Sequence, residues 1–187
     1  GAYIPAAERY GLMSMVDRWV IETVLSNFDA LHGDGPDMEL ATINLSAASL
    51  EGAALAGRIL ELMEQYDIAP HRVCFEITET VAVRNLAQVT RFIGQLREAG
   101  CKIALDDFGS GMSSFGYLKN LPVDIIKIDG SFIRDLGTDT MSQAIVRAVT
   151  DIGHQRGLEV IAEWVTNAQT LDVLAEIGVD YAQGYVL

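Results

Sequence analysis

The sequence predicts an α/β fold in which parallel strands, covered by helices, close into a (β/α) barrel. Three observations lead there. Six short apolar runs alternate with helical patterns along the 187 residues. Each run is nearly continuous in apolar residues, as expected of a strand buried on both faces. Each run also ends in polar residues, which a barrel gathers at one mouth, whereas an open doubly wound sheet concentrates them near one switch point. The open sheet is the competing solution, and the spread of polar ends over every strand favours the barrel.

Taken in order, Pro5 to about His32 reads as helical. Pro5 suits a first turn, Gly11 breaks the run, and Met15, Trp19, Val20, Val24 and Phe28 recur at helix spacing as an expected core stripe. His32 to Asp37 reads as a loop. Leu40 to Leu45 is the first strand, ending at Asn44 and Ser46, and a helix from about Ser49 to Tyr66 places Leu55, Ile59, Leu62 and Met63 on one face. Arg72 to Glu79 is a second strand punctuated by acids. Leu86 to Ala99 is an amphipathic helix stopped by Gly100. Lys102 to Leu105 forms a strand that runs into Asp106 and Asp107, and a helical turn follows near 115–120. Val123 to Asp129 is the next strand, followed by a helix over about 140–156. Leu158 to Ala162, ending at Glu163, a helix over about 167–177, and Val179 to Gln183 complete the series.

The length suits one domain over 1–187. A net charge of −13 argues against a groove for long nucleic acid, so a phosphate ligand needs a metal or a few placed cations. No apolar run is long enough to cross a membrane, and residues 1–5 lack a signal-peptide layout. Cys74 and Cys101 lie in apolar runs and are expected to be reduced core residues, which fits a cytosolic compartment. His32, His71 and His154 have no metal-ligand spacing.

The polar strand ends are Asn44, Glu76, Asp106 with Asp107, Lys127 with Asp129, Glu163 and Gln183. Singly, each has an ordinary explanation as a turn residue, a cap or a solvated charge. Gathered at one mouth, an amide oxygen, several carboxylates and a lysine form the donor set that magnesium or manganese requires. Two such ions bridged by Asp106 would suit an in-line displacement at phosphorus.

Asn44-Leu45-Ser46, Glu76-Ile77-Thr78-Glu79, Asp106-Asp107-Phe108-Gly109-Ser110-Gly111, Lys127-Ile128-Asp129, Ala162-Glu163 and Gln183-Gly184-Tyr185 together resemble the EAL-domain family of bacterial cyclic-di-GMP phosphodiesterases and receptors. Ile4 to Glu8 and Gly11 to Met13 are similar to the segment after that family's first strand. The resemblance implies a modified TIM-like (β/α)8 barrel, present here as a segment lacking the first strand and the C-terminal end. It implies hydrolysis of cyclic di-GMP to linear pGpG with two magnesium or manganese ions. It matches Asn44, Glu76 and Asp106 to metal ligands, with Asp106 bridging and Asp107 serving the second metal. Glu163 matches the carboxylate that supports or deprotonates the attacking water, and Lys127 the lysine near that water and the scissile phosphate. Asp129 and Gln183 match positions at the ligand, and Glu79 the glutamate that holds the loop after Asp107, for which helix capping is the alternative. That loop, with Ser113 and Ser114, borders the family's dimer contact, so a homodimer is expected. Attached sensory or GGDEF-type domains, and a cytoplasmic position, are also expected.

Two features depart from the family pattern. The Glu-Ala-Leu motif is absent from 1–187 and is expected upstream. Glu163-Trp164-Val165-Thr166 stands where the family usually reads Glu-Gly-Val-Glu, so Trp164 is expected to pack on a helix or narrow the mouth. A receptor that binds cyclic di-GMP without cutting it is the alternative function.

Overall fold

The computed structural model describes residues 3–32, 40–50, 54–110 and 115–185. In chain order the elements are α1 (Tyr3–Arg9), α2 (Met13–Ser26), β1 (Ala41–Asn44), α3 (Ala47–Leu50), α4 (Leu55–Gln65), β2 (Val73–Thr78), α5 (Glu79–Arg84), α6 (Leu86–Glu98), β3 (Lys102–Phe108), β4 (Ile125–Ile128), α7 (Gly130–Ile133), α8 (Thr140–Gln155), β5 (Glu159–Val165), α9 (Ala168–Ile177) and β6 (Tyr181–Gly184). Short 3-10 turns occupy Asp29–His32, Pro70–Arg72 and Phe115–Lys119. The expected His32–Asp37 loop beyond His32, residues 51–53 near the start of the expected 49–66 helix, and Gly111 to Ser114 lie outside the described residues.

The chain falls into two compact units. The first comprises Gly1–Ile77, Arg84–Ile103 and Asn120–Pro122. In it β1 and β2 pair in parallel, with Asn44 opposite Glu76 at their C-terminal ends. Val73 to Ile77 are all buried, which is why this strand reads as a continuous apolar run. Helix α4 buries Leu55, Ala56, Ile59, Leu62 and Met63, the face its spacing predicts. Full burial of each large side chain in that row contributes roughly 1.5–3 kcal/mol.

Helix α2 corrects one expectation. Phe28 is buried as expected, but Met15 is 61% and Trp19 65% exposed, and the buried row leading to Phe28 is Asp17, Ile21 and Leu25. Met15 and Trp19 each precede a member of that row by two residues, about 200° around the helix. The inward face is anchored by a charge. Asp17 accepts hydrogen bonds from Ser46 N at 2.8 Å and from Ser49 Oγ, fixing the turn that follows Asn44.

Cys74 and Cys101 are buried free thiols, with Cys101 Sγ 3.8 Å from Met63 Sδ. Burial pushes the Cys101 thiol up to about 11. Thiolate is then scarce at pH 8, and thiolate is the reactive form. Iodoacetamide at pH 8 is expected to leave both cysteines unmodified in the native protein and to alkylate both in guanidinium chloride. Rapid native labelling would contradict their placement.

The second unit comprises Thr78–Val83, Ala104–Lys119 and Val123–Leu187. Here β3, β4, β5 and β6 pair in parallel in that order. All four residues of β4 are buried, Lys127 included. Helix α8 is capped by Asp139, whose carboxylate accepts from the Met141 and Ser142 amides. Helix α9 starts at Asn167, which caps Thr170 N, and stops at Gly178 in left-handed conformation.

Two strands run beyond their expected ends. Strand β3 extends through Asp106 and Asp107 to Phe108, and β5 extends through Glu163 and Trp164 to Val165. Helix α7, four residues long, was not expected at all. Its start was readable in Asp129-Gly130-Ser131, since Asp129 accepts from Ser131 N at 2.8 Å as an N-cap.

Candidate active site

Two strands of the second unit carry the same irregularity. Leu105 pairs with Ile126 and Phe108 with Ile128, so β3 holds one residue more than β4 across that interval. Ala162 pairs with Ala182 and Val165 with Gly184, so β5 has the same one-residue excess over β6. Both are β-bulges. Each contains a residue with left-handed backbone, Asp107 at φ 53° and Trp164 at φ 58°. The second bulge crowds β6 so closely that a Cβ on Gly184 would lie 1.9 Å from Val165 O, and only glycine fits there.

On a regular strand, neighbouring side chains point to opposite faces. The bulge lifts that rule for the two adjacent aspartates. Carboxylate oxygens of Asp106, Asp107 and Glu163 all lie within 4.8 Å of one another. Strand β4 supplies the counter-charge. Lys127 is 4% exposed, and its Nζ lies 2.7 Å from Glu163 Oε1 and 3.4 Å from Asp106 Oδ1. Asp106 Oδ1 also accepts from Asp107 N at 3.0 Å.

One lysine does not balance three acids. Burial, then the charges of Asp106 and Asp129, hold the Asp107 carboxyl above the ordinary range, against the opposing pull of Lys127. An all-oxygen, closely spaced set with excess negative charge fits a hard divalent cation of the magnesium or manganese type.

The loop after Asp107 is held from behind. Glu79, 2% exposed at the start of α5, accepts from Gly109 N at 2.9 Å through Oε2 and from the Tyr117 hydroxyl at 2.8 Å through Oε1. Burial and the Glu79 charge raise the Tyr117 hydroxyl well above its usual value, keeping it a neutral donor. Ser110 Oγ donates to Asp107 O at 2.8 Å. Glu79→Ala leaves two donors unpartnered, and its expected cost is about 1–3 kcal/mol in urea unfolding. An unchanged midpoint would remove the positioning role.

Of the other expected site residues, Gln183 is exposed on β6 and lines a cleft of about 340 Å³ together with Glu163, Trp164, Gly184 and Tyr185. Asp129 serves as the cap of α7. In the first unit, Asn44 is exposed and Glu76 is 4% exposed, side by side in register.

A model of the EAL domain matches residues 1–187. The chain belongs to the EAL-domain family. Its relatives include a protein of Shewanella oneidensis named cyclic di-GMP phosphodiesterase PdeB, 42% identical over 188 residues, which cover 99% of this chain and 22% of that protein. The chain therefore spans about a quarter of the length of such relatives. Among solved structures, a complex of the PaMucR phosphodiesterase with c-di-GMP superposes with TM-score 0.89 at 31% identity, covering 99% of this chain and 80% of that one. The FimX EAL domain from Pseudomonas aeruginosa bound to c-di-GMP gives TM-score 0.89 at 30% identity, covering 98% and 73%. This EAL chain thus has the expected α/β fold, a partial TIM-like barrel with parallel strands. No helix among the described residues of this EAL chain is long and apolar enough to cross a membrane.

Sequence reasoning passed over Tyr117, whose contact with Glu79 joins residues 38 apart and leaves no local signal. It also passed over both bulges in the EAL chain, which arise from register between strands rather than from either strand alone.

Proposed function

We propose that this chain hydrolyses cyclic di-GMP to linear pGpG with divalent magnesium or manganese. The observation that carries the reading is the acidic trio with its buried lysine, Asp106, Asp107 and Glu163 around Lys127. The phosphodiesterase names of its relatives and the c-di-GMP complexes of its structural neighbours support the ligand class. On the family pattern, Asp106, Asp107, Asn44 and Glu76 are the residues that would hold the metal. When bound, two divalent ions activate water and neutralise phosphate charge.

The chain's own groups supply the rest. Glu163 accepts the proton of the attacking water, and its contact with Lys127 at 2.7 Å holds its carboxylate in position. Lys127 places a fixed positive charge where the phosphate gains negative charge. Gln183 and Asp129 orient ligand and water at the mouth, and Glu79 holds the loop that carries Asp107 in place. Water adds across one P–O bond, giving a terminal phosphate and a free ribose hydroxyl. Residues 1–187 act as one EAL-type domain within a larger protein that pairs as a homodimer in the cytoplasm and carries sensory or GGDEF-type domains.

The test is chromatography of cyclic di-GMP incubated with the protein and magnesium or manganese. Linear pGpG that disappears with EDTA is the expected result. Tight binding without product establishes a receptor instead, and neither binding nor product refutes the ligand class.

A further inference from the structure

The most unusual residue near the acidic trio is Trp164. A bulky side chain at φ 58° is a backbone outlier. Strain of that kind clusters at ligand sites and persists where surrounding structure fixes it. The surroundings here are specific. A Cβ on Gly130 would lie 2.4 Å from Trp164 Cδ1 and 2.5 Å from Cγ, so the bare backbone of Gly130 is the seat on which the indole rests. Gly130 is itself buried, at the start of α7. The indole remains 56% exposed, and it borders the cleft of about 340 Å³ that also holds Glu163 and Gln183. A large ring with its position set by a glycine seat, adjacent in sequence to a carboxylate of the acidic trio, is a preorganised flat surface.

We propose that the exposed indole of Trp164 is a stacking platform for one purine base of the ligand that occupies the Glu163–Gln183 cleft. The inference rests on the cyclic-dinucleotide reading above and adds a contact to it. The bulge of β5 turns Trp164 toward the cleft mouth, and the seat on Gly130 holds the ring before ligand arrives. Base–aromatic stacking tolerates any base, so Trp164 contributes affinity and leaves base identity to polar groups.

The experiment is isothermal titration of the full-length protein with cyclic di-GMP, calcium replacing magnesium and product formation checked by chromatography. Glycine adopts left-handed backbone without penalty, so Trp164→Gly is expected to keep or raise the melting temperature. Its affinity is expected to fall roughly five- to 150-fold, the range of one lost stacking contact. Trp164→Phe should lose much less. Gly130→Ala, which unseats the ring, should weaken the natural protein yet add nothing in the Trp164→Gly background, a coupling that a merely structural tryptophan would not show. Unchanged affinity in Trp164→Gly overturns the stacking platform while leaving the ligand assignment intact. No binding by the natural protein overturns both.

Discussion

Replacing Asp106 with alanine is expected to reduce turnover of cyclic di-GMP by at least about 10³-fold, because one residue serves three functions. It donates an oxygen to the acidic trio, pairs with Lys127 at 3.4 Å, and receives the Asp107 amide that shapes the bulge. Loss of metal-supplied charge stabilisation alone is worth several kcal/mol in the transition state, and each 1.36 kcal/mol is tenfold in rate. Asp106→Asn separates these functions. It keeps a side-chain oxygen for the Asp107 amide but removes the charge, so turnover should fall while cyclic di-GMP binding persists. The rise in melting temperature that saturating magnesium gives the natural protein should shrink in the same variant. Full turnover in either variant would contradict the metal-ligand assignment.

Lys127→Met is expected to have the second-largest effect. Its ammonium is buried between Asp106 and Glu163 at 3.4 and 2.7 Å, and methionine preserves most of the volume while removing the charge. Asp106 and Glu163 then lose the cation they share. Breaking a buried pair from one side costs about 3–5 kcal/mol, so the metal-free variant should unfold at lower denaturant. Added magnesium should restore more stability to Lys127→Met than to the natural protein, since the cation compensates the same acids. Turnover should remain down by about 10²–10³-fold even at saturating magnesium, the range for losing one fixed donor at developing charge. Normal single-turnover chemistry in Lys127→Met would remove Lys127 from the phosphate.

The contrast between what was and was not legible follows from where the information resides. Strands β2 and β4 are buried on both faces, so their apolar runs report them directly. Helix α4 has one inward face and reads at helix spacing. Helix α2 misleads because its inward face includes a charged residue, Asp17, whose partners Ser46 and Ser49 are 29 and 32 residues away. A pattern that counts only apolar side chains then selects Met15 and Trp19. The polar strand ends were identifiable individually as chemistry-bearing residues. That Asp106 and Asp107 share a site was also expected, but the bulge that lets adjacent strand residues do so was not, because it depends on pairing with β4. Trp164 shows the same limit. Its replacement of a family glycine is visible in sequence, yet its seat on Gly130 emerges only once α7 meets β5.

The central claim is that the acidic group formed by Asp106, Asp107 and Glu163 holds a divalent cation beside Lys127. Anomalous diffraction from crystals soaked in manganese tests it without reference to turnover. The account predicts a strong anomalous peak within coordination distance of Asp106, lost in crystals of the Asp106→Ala variant. No peak at these carboxylates, or one of equal strength in that variant, would contradict it.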